Sequence, residues 1–220
     1  MIITIDGPAG SGKSTAAREL AKALGIAFLD TGATYRAVTL RGMRLGTDLE
    51  AGYELAKVAR EMDLQLRSGE NGTVVILDGE DVSAPVRTEE VSANSYYAAR
   101  SRAVREVLVD LQRRLGGELG SFVSEGRDQG SVVFPDADVK FYLDARPEVR
   151  ARRRYEQILA DHHPADYQRV LESIAKRDAR DRGRRWAPLI RPEGAIAIET
   201  SDLTLDQVVA ELRRHVEAAR

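Results

Sequence analysis

The chain has 220 residues, a formal net charge of −2 and no cysteine, with 43% hydrophobic and 31% charged residues. Near-neutral charge excludes a general attraction to nucleic acid or to anionic membranes. The absence of cysteine excludes disulfides, thiolate metal sites and a cysteine nucleophile. The length predicts one domain, with room for an insert.

The first elements predict alternating strands and helices. Ile2 to Ile5 is a β-branched run that leads into a glycine-rich turn. A helix is expected from Lys13 to about Leu24, a second strand from Ile26 to Leu29, and another helix opening near Asp30. This alternation favours a parallel sheet covered by helices.

The middle of the chain has a different pattern. Leu64 to Arg67 and Thr73 to Leu77 are β-rich runs on either side of a turn, and a second turn follows at Asp78-Gly79. Closely spaced turns between strands indicate an antiparallel meander. A helix is then expected to begin at Thr88 and to run to about Leu115, before Gly116-Gly117 ends it.

The remaining segments continue the α/β pattern, and the uninterrupted apolar run around Lys140 is typical of a buried parallel strand. Strands are predicted at Ser121–Glu125, Val139–Leu143 and Ile196–Ile198, and helices at Pro147–Leu159, Tyr167–Arg182 and Thr204–Ala218. No run approaches the roughly 18 apolar residues of a membrane span. We expect a cytoplasmic monomer with no membrane or nucleic-acid partner.

A glycine-rich loop lies between the first strand and the first helix, and it matches G-x-x-x-x-G-K-[ST] in full. Its residues are Gly7, Pro8, Ala9, Gly10, Ser11, Gly12, Lys13 and Ser14, followed by Thr15. Glycines allow backbone N–H groups to surround phosphate, and the helix N-terminus favours an anion. The loop therefore predicts ATP binding, with Lys13 on the β- and γ-phosphates, Ser14 on Mg²⁺ and Thr15 on the α-phosphate.

The loop does not fix the reaction, because ATPases, GTPases and kinases all use it. The [NT]-K-x-D signature of guanine-specific proteins is absent. Glu125 ends a predicted strand, where it could hold a metal-bound water or only cap the strand. Both interpretations of Glu125 stay open.

Arginine is frequent where strands end and in two helical segments. Arg36 and Arg127 each follow a predicted strand, at the edge where open α/β sheets bind ligands. In the segment from Arg177 to Arg185 the arginines outnumber the two aspartates, which indicates an anionic ligand. The arginines between Arg146 and Arg154 are mostly expected on a solvated helix face.

Several of these motifs together resemble the bacterial cytidylate kinases over nearly the whole chain. The matching segments are Ile5–Ser14, Leu29–Arg36, Leu77–Val82, Glu125–Asp128, Val132–Ala137 and Arg177–Arg182. The resemblance implies a P-loop parallel sheet flanked by helices, a small antiparallel three-stranded insert and a helical lid. It divides the single domain into a core (1–62, 117–149 and 186–220), an acceptor-binding insert (about 63–90) and a lid (about 150–166), whose arginines close over ATP.

The resemblance also implies an activity: transfer of the γ-phosphate of ATP to CMP or dCMP, with Mg²⁺. It gives Lys13, Arg127 and Arg177 the catalytic positions. The implied acceptor contacts are Arg36 and Arg127 to phosphate, Arg177 and Asp181 to ribose, and Thr31, Arg105, Asp128 and Arg184 to cytosine. One departure is that Tyr96, with Ser95 beside it, stands where the family has a base-contacting serine. Another P-loop small-molecule kinase and a non-catalytic nucleotide sensor are the alternatives.

Overall fold

The computed structural model describes residues 1–69, 72–160 and 162–219, and for Ser68 it describes the backbone only. Part of the turn predicted between residues 68 and 72 therefore lies outside the described residues. The chain forms two compact units, Met1–Ile26 with Val123–Arg220, and Ala27–Phe122. We call them the first unit and the second unit.

The helices and strands alternate at both ends of the chain. In chain order they are β1 (Ile2–Asp6), α1 (Lys13–Leu24), β2 (Ala27–Asp30), α2 (Thr31–Arg44), α3 (Gly52–Glu61), β3 (Leu64–Gly69), β4 (Gly72–Leu77), β5 (Glu80–Asp81), α4 (Glu89–Arg100), α5 (Arg102–Leu119), β6 (Phe122–Gly126), β7 (Val139–Asp144), α6 (Pro147–Ala160), α7 (Tyr167–Arg182), β8 (Ile196–Glu199) and α8 (Leu205–Ala218). A 3₁₀ turn covers Pro85–Arg87 and a π-helical turn covers Gln129–Val133.

The larger sheet has five strands in the order β2-β6-β1-β7-β8. β1 is parallel to β7, with Ile3 opposite Val139, and β7 is parallel to β8, with Phe141 opposite Ile196. Every residue of β6 is buried. Because parallel strands end at the same edge of a sheet, the loops that follow β1 and β6 leave the sheet at one edge.

The second unit contains a three-stranded antiparallel sheet in the order β3-β4-β5, with Leu64 opposite Leu77. Its apolar core includes Leu55, Val75 and Leu108, each fully buried. The predicted meander is therefore confirmed. The boundaries predicted for the core, the insert and the lid stay predictions.

The helix predicted from Thr88 to Leu115 is wrong as one element. Thr88 caps α4 as expected, accepting a bond from the N–H of Val91. At Ser101, however, the backbone is extended, and the hydroxyl accepts a bond of 3.4 Å from the N–H of Val104, which starts α5. Ser101 is therefore a second N-cap within the predicted helix.

The predicted stop at Gly116-Gly117 is also wrong, since α5 continues to Leu119. Gly116 is buried, so packing outweighs the roughly 1 kcal/mol that a glycine costs inside a helix. In α8, Leu205 is 41% exposed, whereas Val216 is buried. The bounds of α1 and α7 match their predictions.

Candidate active site

The glycine-rich loop joins β1 to α1 in the first unit, as predicted. A Cβ atom on Gly7 would lie 2.1 Å from the carbonyl oxygen of Leu143, so only glycine fits this approach. Gly12 is the N-cap of α1 with a φ of 84°, and among the described residues no side chain caps that helix. The first N–H groups of α1 are thus left for a ligand, and the positive end of the helix favours an anion.

Lys13 is a buried cation in a cationic environment. Its Nζ lies 3.8 Å from a carboxylate oxygen of Glu125 and donates a 3.5 Å bond to the carbonyl of Pro8. Burial, followed by the charges of Arg127 and Arg177, lowers the pKa of the ammonium to about 7, against the opposing effect of Glu125. A polyanion bound here would offset this repulsion and stabilise the charged form.

Ser14 and Glu125 lie next to Lys13 and offer oxygen atoms to a cation. The Ser14 hydroxyl donates a 3.0 Å bond to Glu125, which is the last but one residue of β6 and is only 6% exposed. Within residues 1–69, 72–160 and 162–219, no group of three or more carboxylates, histidines or cysteines could hold a metal ion. The donors present fit Mg²⁺, which is bound through few protein oxygens together with water and substrate phosphates.

Arg127 and Arg184 share one carboxylate. The Nε of Arg127 donates a 2.8 Å bond to Asp181 of α7, and Arg184 pairs with the other oxygen of the same carboxylate. Burial alone would raise the pKa of Asp181, but the charges of the two arginines hold it below its usual value. The charge of Arg177 acts in the same direction. These predicted residues, from the end of β6 and from α7 and the segment after it, are therefore brought together.

Asp128 follows Arg127 and is 3% exposed. Its backbone carbonyl accepts bonds from the N–H groups of Val132 and Val133. The bonds from Val133 to Asp128 and from Phe134 to Gln129 span five residues each and define a π-helical turn beginning at Gln129. The sequence did not reveal this turn, because five residues give no periodicity to detect. The turn fixes the backbone immediately after Arg127 and Asp128.

The other predicted acceptor residues, Thr31, Arg36 and Arg105, lie in the second unit. Arg36 donates a 3.0 Å bond to Asp30, which also caps α2 by accepting from the N–H of Ala33. Arg105 is 5% exposed, with its guanidinium 5.6 Å from the ring centre of Tyr35. Two buried or half-buried arginines on this unit also suit an anionic ligand.

The sequence also matches a known protein family. The family model for cytidylate kinase matches residues 3–218. The chain belongs to the cytidylate kinase family. The cytidylate kinase of Caldanaerobacter subterraneus is 48% identical, with 94% of this chain and 90% of that protein covered. The cytidylate kinase of an Exiguobacterium species is 44% identical, with 99% and 97% covered.

Two solved structures support the fold alone, because their sequences are distant from this cytidylate kinase family member. An uncharacterised protein from Eubacterium ventriosum has a TM-score of 0.54 at 14% identity, covering 99% of this chain and 98% of that one. Shikimate kinase from Bacteroides thetaiotaomicron has a TM-score of 0.51 at 15% identity, with the same coverage. The predicted P-loop kinase fold is confirmed.

Arg150 is buried, although the arginines between Arg146 and Arg154 were mostly expected on a solvated helix face. It is 2% exposed and donates bonds to the carbonyls of Ala145 (2.8 Å) and Ala9 (3.0 Å) and to Asp178 (2.6 Å). It therefore fastens α6 to the phosphate loop and to α7. Arg146, in contrast, is exposed as expected.

Sequence reasoning also missed Thr200, which is 1% exposed. Arg153 donates bonds to its carbonyl (2.6 Å) and hydroxyl (3.1 Å), and that hydroxyl lies 3.2 Å from the carbonyl of Ser11 in the phosphate loop. The signal available was that Thr200 directly follows β8, beyond the end of a parallel strand. Neither Thr200 nor Asp178 was predicted as a site residue. Thr200 contacts the phosphate loop at Ser11, and Asp178 binds Arg150, which contacts the loop at Ala9.

Tyr96, with Ser95 beside it, stands at the position where the family has a base-contacting serine. The Ser95 hydroxyl donates a 2.7 Å bond to the carbonyl of Ser92, within α4. The ring of Tyr96 lies 5.4 Å from the guanidinium of Arg100. Among the described residues, no helix combines the length and apolarity needed to cross a bilayer.

Proposed function

We propose that the chain transfers the γ-phosphate of ATP to CMP or dCMP, giving ADP and CDP or dCDP. The observation that carries this proposal is the glycine-rich loop at the start of α1 with its buried Lys13, whose Nζ lies 3.8 Å from Glu125, together with the buried cluster in which Arg127 binds Asp181. Such a cluster suits polyanionic phosphates. The cytidylate kinases among its relatives supply the acceptor.

ATP would be held by the loop from Gly7 to Thr15. Its backbone N–H groups and the start of α1 would receive the phosphates, and Lys13 would contact the β- and γ-phosphates. Ser14 and Glu125 are the residues that would hold Mg²⁺, directly or through water, and the bound ion would neutralise charge on the phosphate oxygens.

The acceptor supplies its own nucleophile. An oxygen of the CMP phosphate forms a bond to the γ-phosphorus, while the bond from that phosphorus to the β–γ bridging oxygen breaks and ADP leaves with the electron pair. Arg36 and Arg127 would hold the acceptor phosphate, and Arg177 would stabilise the charge of the transferring group. The chain contributes positioning and electrostatic stabilisation, so no serine or histidine nucleophile is required.

The base would be selected by complementary hydrogen bonds. Cytosine presents an amino donor beside two acceptors, which fits Asp128 as acceptor and Arg105 and Arg184 as donors, while Asp181 and Arg177 meet the ribose. Uracil would place a carbonyl against Asp128. Since unpaired buried polar groups are costly, we expect CMP and dCMP to be preferred to UMP, with Thr31 adding a hydroxyl at the base.

Three further features complete the proposal. A lid of about residues 150–166 closes over ATP and limits hydrolysis by excluding water. The protein acts as a monomer, and it acts in the cytoplasm. Each of these stays a prediction.

The test is ADP production from ATP and Mg²⁺ with CMP, dCMP, UMP, AMP and shikimate assayed in parallel. We expect CMP and dCMP to exceed all others. Preferential use of shikimate would favour another P-loop kinase activity, and tight ATP binding with no turnover would favour a nucleotide sensor. Neither alternative is favoured by the family membership.

A further inference from the structure

Asp6 is a buried carboxylate that the nucleotide contacts proposed above do not use. It ends β1 and has no solvent exposure. One carboxylate oxygen accepts a 2.8 Å bond from the backbone N–H of Gln129, and the other accepts a 2.8 Å bond from the N–H of Gly130. Both partners are more than a hundred residues away along the chain.

These two N–H groups open the π-helical turn Gln129–Val133. The first N–H groups of any helical turn have no partner within the turn, so a side chain, water or a ligand must satisfy them. Asp6 serves as this cap from a neighbouring strand. A carboxylate that accepts bonds from backbone N–H groups forms the stronger, charge-assisted kind of hydrogen bond.

Two other contacts hold the same turn. The Ser124 hydroxyl donates a 2.8 Å bond to the side-chain carbonyl of Gln129, in a fully buried position. Gly130 packs so closely on β1 that a Cβ atom there would lie 2.8 Å from the hydroxyl of Thr4. The turn can therefore occupy only one position on the sheet while Asp6 retains both bonds.

The position of Asp6 links two parts of the proposed reaction. Gly7, the next residue, is the first of the phosphate loop, and the capped turn directly follows Arg127 and Asp128. We propose that Asp6 is a positioning residue that holds the Arg127-Asp128 backbone in register with the phosphate loop. This inference rests on the proposed function, in which Arg127 and Asp128 contact the acceptor.

The role requires a carboxylate rather than any polar group. Burial, together with the nearby charge of Asp128, raises the pKa of Asp6 to about 7, whereas the two N–H bonds and Arg127 lower it. An ionised carboxylate accepts with both oxygens. An asparagine offers one acceptor, and its NH₂ group would face an N–H donor.

The test compares Asp6→Asn with Thr4→Val, a matched change on the same strand. Thr4 is also fully buried, and among the described residues its hydroxyl has no hydrogen-bond partner. We measure the KM for CMP, the KM for ATP and kcat, and we measure binding of CMP and of a non-hydrolysable ATP analogue by calorimetry. Binding is a readout that does not depend on turnover.

For Asp6→Asn we expect kcat/KM for CMP to fall about tenfold or more, because a hydrogen bond to a charged group is lost, while the KM for ATP changes less than about twofold. Valine keeps the shape of Thr4 that packs against Gly130, so Thr4→Val should leave both constants unchanged. A purely structural role would lower the melting temperature and the active fraction but leave the KM for CMP as in the wild type, and that result would overturn the inference.

Ser124→Ala serves as a second variant should Asp6→Asn not fold. It removes the bond to the Gln129 side chain and keeps Asp6, and it should raise the KM for CMP in preference to that for ATP. Equal changes in both constants would contradict the inference. A wild-type protein that does not bind or phosphorylate CMP would instead refute the proposed function, so the two failures are distinguishable.

Discussion

Replacing Arg150 with methionine tests whether α6 is fastened to the phosphate loop. The change keeps an unbranched side chain and removes the bonds to Ala145, Ala9 and Asp178. Asp178 is 5% exposed, and its other carboxylate oxygen already has no hydrogen-bond partner among the described residues. The substitution therefore leaves a buried carboxylate without its counter-charge.

Removing one partner of a buried ion pair costs about 3–5 kcal/mol. For a chain of this length each kcal/mol lowers the melting temperature by about 2–4 °C, so Arg150→Met should lower it by roughly 6–20 °C. Asp178→Asn should also destabilise the protein. Because the two residues share one bond, the double variant should lose less stability than the sum of the single variants.

Calorimetry and urea denaturation of the four proteins give the double-mutant cycle. Arg154→Met is the matched control: Arg154 lies on the same helix, is exposed and bonds only Gln157 in the contacts described. The control should change stability by less than about 0.5 kcal/mol. A loss below about 1 kcal/mol for Arg150→Met, or strict additivity with Asp178→Asn, would refute the reasoning, since distant sites add within about 0.5 kcal/mol.

Three further predictions concern the charged site. Lys13→Met should abolish ATP binding. Binding of ATP to the wild type near pH 8 should take up a proton, because the bound phosphates raise the lowered pKa of Lys13. Calorimetry in buffers of different ionisation enthalpy measures this uptake, and zero uptake would contradict the role given to Lys13. Without nucleotide, the folded state binds fewer protons than the unfolded state between pH 7 and 10.5, so the contribution of Lys13 makes stability rise with pH there, and Lys13→Met should remove that rise. Asp181→Asn, which leaves Arg127 and Arg184 with a neutral partner, should lower kcat/KM for CMP by tenfold or more, and a change below twofold would argue against the shared carboxylate.

The sequence predicts elements well where the decisive interaction is local. The phosphate loop is a contiguous motif, and its backbone geometry follows from its glycines. Gly25 ends α1 in the left-handed conformation, directly after the predicted end of the helix at Leu24. In α7 the first and last residues, Tyr167 and Arg182, match the prediction, and the helix ends at Gly183 as its C-cap.

The failures occur where distant residues decide. Ser101 lies inside a strong helical pattern, and its role as a cap depends on where α4 and α5 pack. A Cβ atom on Gly52 would lie 2.5 Å from the Ser101 hydroxyl, which shows how closely the start of α3 approaches this break. The sequence carried no local signal for that approach, and α3 itself was not predicted.

The site shows the same limit in its charges. Density alone indicated that the arginines near Arg177 need an anion, but it could not assign partners. Asp181 accepts from Arg127 and pairs with Arg184, whereas Asp178 pairs with Arg150 from α6. Asp181 and Arg184 are near neighbours, but Arg127 and Asp181 are 54 positions apart and Arg150 and Asp178 are 28 apart, and a net charge of −2 gives no hint of such pairs.

The pairing has a consequence for catalysis. Arginines held at fixed carboxylates lose less conformational freedom when a phosphate arrives, so their order is established before binding. The same carboxylates partly neutralise the arginines and so weaken their attraction for phosphate. The arrangement therefore exchanges some affinity for geometry, which suits a reaction whose rate depends on holding two phosphates in line.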